Sequence, residues 1–365
     1  MKKFLLIICA ALLMTGCGEV KEVQADVLPP PPDPIEETLK AMTLEEKVGQ
    51  MIMIGVYGTG VNDDIFYLLN KIHFGGLIHF DRNLESIAQT KKLVDDISFA
   101  ANQKAPLFVA IDEEGGRVAR GKHIFEVAPS QEEIGLSGDP ANATYWAKHN
   151  AKILRSIGVN LNFAPVADVG SKDTRSFGDN AQTVANFVDA SAQGYEAEKF
   201  FYTLKHFPGI GKGKVDSHIE VSDIESDKAT LAAEDFLPFS RIIRGHDNSK
   251  FMIMVGHLKY PALDPVNSAS LSPAVITGLL RNELGYSGVV ITDDLEMGAI
   301  ANNVALSSLG VKIIQAGGDI ALVCHNYDSQ QIVYNSIIDA VKRGEISMAR
   351  IDESVRRILK MKAHL

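Results

Sequence analysis

Eight short apolar runs, separated by stretches of helical periodicity, constrain this chain more than any other feature. The runs are Gln50–Val56, Gly76–Phe80, Leu107–Ile111, Val159–Phe163, Phe201–Leu204, Phe251–Val255, Gly288–Ile291 and Asp319–Val323. Each is rich in Val, Ile, Leu, Met or Phe, and each is followed by polar or Gly-rich sequence. Strands buried on both faces read as continuous apolar runs of this kind, whereas half-exposed strands alternate. Helical patterns such as Thr183–Glu198 and Gln330–Arg343 lie between them. Thr43-Leu44-Glu45-Glu46 has the capping-box spacing that opens a helix. The alternation predicts the α/β class and a single (β/α)8 TIM-type barrel; a doubly wound open sheet is the alternative.

Charge narrows the partners. The chain has 36 Lys and Arg against 46 Asp and Glu, a formal net charge of −10. No basic surplus is available to neutralise phosphates, so a nucleic-acid partner is not expected. With 46% hydrophobic and 22% charged residues, the chain is neither disordered nor a polytopic membrane protein. Its three cysteines are Cys9, Cys17 and Cys324. The body therefore holds one thiol and no internal disulfide.

The first residues read as an export signal. Lys2-Lys3 precede an apolar stretch from Phe4 to Met14. That is shorter than the roughly 20 residues a transmembrane helix needs, and it suits a signal peptide. Leu13-Met14-Thr15-Gly16-Cys17-Gly18 resembles a bacterial lipobox. The resemblance implies that Cys17 is lipidated, so that the exported protein is anchored in the cell envelope. Gly18 rather than Asp points to the outer membrane or cell surface. Residues 1–17 are expected to form the signal, and 18–34 a Pro-rich tether around Pro29-Pro30-Pro31-Pro32. Residues 35–365 form the barrel, with no second domain needed.

The chemistry-bearing residues follow the apolar runs, where a barrel of this kind carries its site. They are Asp112-Glu113-Glu114-Gly115-Gly116-Arg117 with Arg120, Asp168, Arg175, Lys205-His206, Asp216-Ser217-His218, His257 and Asp293-Asp294. Gly209, Gly211 and Gly213 lack the spacing of a phosphate loop, and no GxSxG or HExxH is present. Lys205 suits either a Schiff base or a cation that holds a hydroxyl. Asp293-Asp294, taken alone, also suits a helix N-cap. A carboxylate nucleophile with a separate proton donor fits glycoside hydrolysis. A histidine such as His218 can donate that proton if a carboxylate such as Asp216 steadies its cation.

Lys205-His206-Phe207-Pro208-Gly209-Ile210-Gly211 with Val215-Asp216-Ser217-His218 resembles the KHFPGxG…DSH signature of family 3 glycoside hydrolases. Asp112 to Arg120 is similar to the DQEGGRVxR segment of the single-domain β-N-acetylglucosaminidase branch, and Asn162 to Val169 to its NFAPVxDV. Gly288 to Met297 is similar to its nucleophile strand. The resemblance implies a retaining exo-β-N-acetylglucosaminidase acting on peptidoglycan fragments or chitooligosaccharides. Asp293 would be the nucleophile, His218 the acid/base and Asp216 its partner. Asp112, Arg120, Arg175, Lys205 and His206 would hold the sugar, and His257 would not touch it. No metal or organic cofactor is implied, and a monomer is expected. Ile210, where many relatives carry a second His, the short stretch from Asp168 to Arg175, and Asp179-Asn180 depart from the pattern around the cleft rim. A β-glucosidase or β-xylosidase of the same family and a degenerate cell-wall-binding lipoprotein are the alternatives.

Overall fold

The computed structural model describes residues 33–170, 173–211 and 223–365. The expectations for Cys17, the signal segment, Asp216 and His218 fall outside these residues. The first described helix, Pro34–Ala41, opens on proline, whose missing N–H costs nothing in a first helical turn. Thr43 then caps Leu44–Gln50. Its side chain accepts from the Glu46 N–H while the Glu46 carboxylate accepts from the Thr43 N–H at 2.8 Å, the reciprocal pair expected from the spacing.

Eight parallel strands close into a barrel in chain order. They are β1 (Ile52–Gly55), β2 (Gly76–His79), β3 (Phe108–Ile111), β4 (Leu161–Asn162), β5 (Phe201–Phe207), β6 (Phe251–Val255), β7 (Val289–Asp294) and β8 (Ile320–Val323). The barrel expectation holds, and the open sheet is excluded because β8 pairs with β1 through Ile52↔Ala321 and Ile54↔Val323. Helices occupy the connections, among them Asp63–Ile72, Ile87–Ala101, Pro140–Ser156, Ala181–Ala197, Leu306–Ala316 and Tyr327–Lys342. Asn180 and Asn326 cap the N-termini of two of these, which sets where each connection turns into helix. No helix among the described residues is long and apolar enough to cross a membrane.

Most strands differ from their apolar runs by a residue or more, and β4, β5 and β7 do so where it bears on the site. The expected run Val159–Phe163 yields only Leu161–Asn162 as strand, because the Asn160 side chain takes over part of the pairing. It accepts from the Val109 N–H at 2.9 Å and donates to the Leu107 carbonyl at 3.0 Å. By contrast, β5 and β7 run beyond their apolar residues, through Lys205-His206 and Asp293-Asp294. Those polar groups therefore sit on strand backbone, which holds a side chain more closely than a loop does.

At the N-terminal end of the barrel the last helix, Met348–Lys362, is tied to residues that precede β1, β2 and β8. Asp319, fully buried just before β8, accepts from Arg281 at 2.6 Å, from Arg357 at 3.0 Å and from the Ser354 hydroxyl at 2.6 Å. Burial pushes its carboxyl up, but the guanidinium groups of Arg281, Arg357 and Arg350 outweigh this and hold it below the usual range. Lys362 donates to the Gln50 side chain at 2.6 Å and the Gly75 carbonyl at 2.7 Å, with its ammonium over the Phe108 ring. Burial pulls its pKa far down.

Candidate active site

At the opposite end, the turn after β3 builds the first wall. Asp112 leads into a short hairpin, Glu113–Gly115 with Val118–Ala119. Gly115 (φ +102°) and Gly116 (φ +56°) make its tight turn. A Cβ at Gly115 would lie 2.3 Å from the Pro129 carbonyl oxygen, so the Gly-Gly pair is dictated by conformation and by space. Along this segment side chains alternate. Asp112 and Glu114 turn towards Lys205, and Glu113 turns away to accept from the Gly121 N–H at 2.9 Å. Burial pushes the Glu113 carboxyl up to about 7, against the Gly121 and Arg120 backbone amides that pull it down.

Lys205, 2% exposed, stands at the centre. Its ammonium lies 2.7 Å from Asp112 Oδ1 and 2.6 Å from Glu114 Oε1. Burial alone would lower its pKa, but Asp112 and Glu114 reverse the effect and raise it. A Schiff-base lysine needs the neutral amine; this one is held as a cation that offers hydrogen bonds. Glu114 also accepts both arms of Arg175, Nε and Nη2, each at 2.8 Å. Burial raises the Glu114 carboxyl, and Lys205 and Arg175 together override it and hold it far below the usual carboxylate range. Arg120 completes the wall, 3.6 Å from Asp112 and 3.8 Å from Asp81.

His206 follows on the same strand. Its Nδ1 lies 2.8 Å from Asp168 Oδ2, and its backbone N–H donates to Asp168 Oδ1 at 3.1 Å. A carboxylate only accepts, so Nδ1 carries the proton. Nε2 then faces Arg175 Nη2 at 3.4 Å and the open space beyond.

Asp293 and Asp294 end β7. They do not cap a helix: the next helix, Gly298–Ala301, starts after Met297 and has no side-chain cap. Asp293 is half-buried and faces the cavity; its Oδ1 accepts from the Asp294 N–H at 2.8 Å. Burial raises its carboxyl, and His206, the adjoining His257 ring, the Asp294 amide and Lys205 together outweigh this and bring it below the usual value. Asp294 behaves oppositely. Burial, reinforced by Glu296 and Asp293, pushes it up to about 7, although Oδ1 accepts from the Cys324 N–H at 3.1 Å. Two adjacent carboxyls are thus separated by environment, one anionic and one half-protonated near neutrality. His257 sits behind them. Its Nε2 donates to the Asp294 carbonyl at 3.0 Å, its Nδ1 accepts from the Ser270 hydroxyl at 2.8 Å, and burial keeps it neutral.

Asp112, Arg120, Arg175, Lys205, His206 and Asp293 all line one cavity of about 390 Å³. That is near the low end of small-molecule sites, which span about 300–1,000 Å³. Glu114 and Asp168 stand in the sequence among the chemistry-bearing strand-end residues without a role, and Phe80 and His325 carry no signal there. Alternation with Asp112 points Glu114 at the site, whereas the role of Asp168 depends on its partner on the next strand.

A closed barrel whose strand ends gather opposed charges around one cavity is the architecture of barrel enzymes. Residues 43–361 match the glycosyl hydrolase family 3 N-terminal domain, and the chain belongs to that family. It is 33% identical to the beta-hexosaminidase A of Pseudoalteromonas piscicida over 344 residues, 84% of this chain and 56% of that protein. It is 35% identical to a beta-hexosaminidase of Xylella fastidiosa over 286 residues, 75% of this chain and 83% of that one. A family 3 beta-N-acetylglucosaminidase from Paenibacillus sp. superposes with a TM-score of 0.85 at 38% identity, over 89% of this chain and 63% of that one. The chain thus spans little more than half of one curated relative and most of another.

Proposed function

We propose that the protein is a retaining exo-β-N-acetylglucosaminidase, releasing terminal β-linked GlcNAc from peptidoglycan fragments or chitooligosaccharides. One observation carries the reading: an anionic Asp293 at a strand end faces the hydrogen-bonding wall of Asp112, Lys205, Arg120 and Arg175 across a cavity of about 390 Å³. The wall supplies ionised donors and acceptors already in place, so a sugar's hydroxyls meet partners that need no reorganisation. Asp293 attacks the anomeric carbon as the bond to the leaving oxygen breaks. His218, partnered by Asp216, gives that oxygen its proton and then takes one from the water that releases GlcNAc. The roles of His218 and Asp216 rest on the sequence resemblance. No metal or organic cofactor enters these steps. The named hexosaminidase relatives support the N-acetyl sugar over glucose or xylose. The lipobox resemblance supports an exported protein held in the cell envelope by acyl chains on Cys17, each buried CH₂ adding about 0.8 kcal/mol.

The test is release of p-nitrophenol from the β-GlcNAc and β-glucose derivatives, followed by NMR of the first-formed anomer. Hydrolysis of the GlcNAc derivative with β-GlcNAc appearing first is the expected result. Initial α-GlcNAc would remove the covalent intermediate. Preference for glucose would remove the substrate class. Labelling of the full chain with a fatty-acid analogue, lost in Cys17→Ala, checks the anchor.

A further inference from the structure

The polar wall occupies the strand ends of β3, β4 and β5. The adjoining arc over β8, β1 and β2 is built from different chemistry. Phe80, directly after β2, lines the cavity, and so does His325, after β8. Their rings lie 5.1 Å apart. Outward from them comes Arg82, whose guanidinium carbon lies 4.5 Å from the Phe80 ring centre and 4.4 Å from that of Tyr57. Tyr57, after β1, packs edge-on against Tyr327 at 5.7 Å and is 46% exposed.

This ridge is rigid by construction. Arg82 donates to the Val56 carbonyl at 3.0 Å and the Cys324 carbonyl at 2.9 Å, and stands 3.3 Å from His325 Nδ1. One guanidinium thereby ties together the ends of three neighbouring strands. The Tyr57 backbone N–H donates to the Tyr327 hydroxyl at 3.0 Å, which holds the Tyr327 ring edge-on against that of Tyr57. The Glu296 carboxylate accepts from the backbone N–H groups of His325 and Asn326, which holds the β8 turn. So many bonds spent on presenting aromatic faces at a cavity mouth are unneeded for a solvent-exposed loop. A pre-organised, half-exposed aromatic surface is what a ring with an apolar C–H face and polar edges binds well.

We propose that Phe80, His325 and Tyr57, with Arg82 clamped among them, form the subsite for the leaving group, and that its occupant is a pyranose ring. The inference rests on the reading that the inner cavity takes the terminal sugar. The ridge adjoins that cavity through Phe80 and His325, so a second ring linked to the bound sugar would meet it.

The experiment compares two ligands in Tyr57→Ala and Tyr57→Phe. The β-1,4-linked GlcNAc disaccharide spans both regions, whereas free GlcNAc, measured as a competitive inhibitor, reads the inner cavity. Tyr57→Ala should lower kcat/KM for the disaccharide about tenfold through KM, with the inhibition constant of GlcNAc holding within about twofold. Tyr57→Phe, which keeps the ring, should restore the disaccharide value. Equal losses for both ligands would overturn the subsite by showing a general disturbance of the barrel mouth. So would an unchanged disaccharide value in Tyr57→Ala. A wild-type protein that neither hydrolyses the disaccharide nor binds GlcNAc would overturn the proposed function, and the subsite with it.

Discussion

At the N-terminal end of the barrel, Asp319 is enclosed by Arg281, Arg350 and Arg357, and Lys362 by Gln50, Gly75 and Phe108. At the C-terminal end, Lys205 and Glu114 are buried as deeply, and they too are paired. The difference lies in what adjoins them. Asp319 and Lys362 themselves are enclosed by their partners and, among the described residues, border no cavity, and their bonds fasten the last helix beneath the strands. The upper cluster opens through Asp112, Arg120, Arg175 and His206 onto a cavity of about 390 Å³ that Asp293 also lines. Buried charge alone is therefore not a mark of function. Buried charge bordering open volume at the strand C-termini is one.

Substitutions can break this contrast. The largest effect is expected for Asp293→Asn, which removes the anion but keeps the shape. It should lower kcat by about 10⁴-fold with urea stability near wild type. A substantial residual rate would take Asp293 out of the mechanism. Asp319→Asn should do the reverse. Leaving three guanidinium groups short of their counter-charge costs about 3–5 kcal/mol in urea unfolding, while kcat of the folded fraction stays near wild type. An activity loss without a stability loss would erase the distinction between the two ends.

Lys205→Met tests whether the upper cluster is functional beyond its pairing. Glu114 keeps both bonds to Arg175 in this variant. The expected cost falls mainly on kcat/KM, about 10²-fold, measured on the GlcNAc derivative. The smallest effect concerns Glu113, which faces away from the cavity. Its folded pKa, about 7, lies above the ordinary value of 4.5. The native state thus holds the proton more tightly than the unfolded chain. Stability from this group is complete below pH 4.5 and is lost as pH rises towards 7. Glu113→Gln keeps an acceptor for Gly121 and removes the titration. At pH 8 it should be the more stable protein by about 3 kcal/mol. Parallel pH profiles for the two proteins would show that Glu113 does not carry the proton.

Much of the architecture was legible before any coordinates. The eight apolar runs are strands because uninterrupted Val, Ile, Leu and Met suit backbone buried on both faces. The runs underestimated β5 and β7, since Lys205-His206 and Asp293-Asp294 carry no apolar signal although their backbone continues the ladder. The residues expected to hold a sugar do share one cavity. Their partners were less visible. Glu114 shares the parity of Asp112, so alternation pointed to it. The Asp168–His206 bond joins residues 38 apart and depends on β4 and β5 being neighbours. The ridge of Phe80, Arg82, Tyr57 and His325 draws on three separate turns, none of them unusual in isolation.

The sequence by itself determined the secondary elements, their alternation and the chemical type at each strand end, because these depend on local periodicity and on side-chain chemistry. Tertiary closure decided the rest. Only the pairing of β8 with β1 brings Tyr327 and His325 beside Tyr57 and Phe80. Only the folded surroundings separate the adjacent carboxyls of Asp293 and Asp294: burial raises both, and the groups gathered around Asp293, His206 foremost, bring that one below its usual value. Proximity and desolvation belong to the folded chain as a whole, and no window of residues contains them.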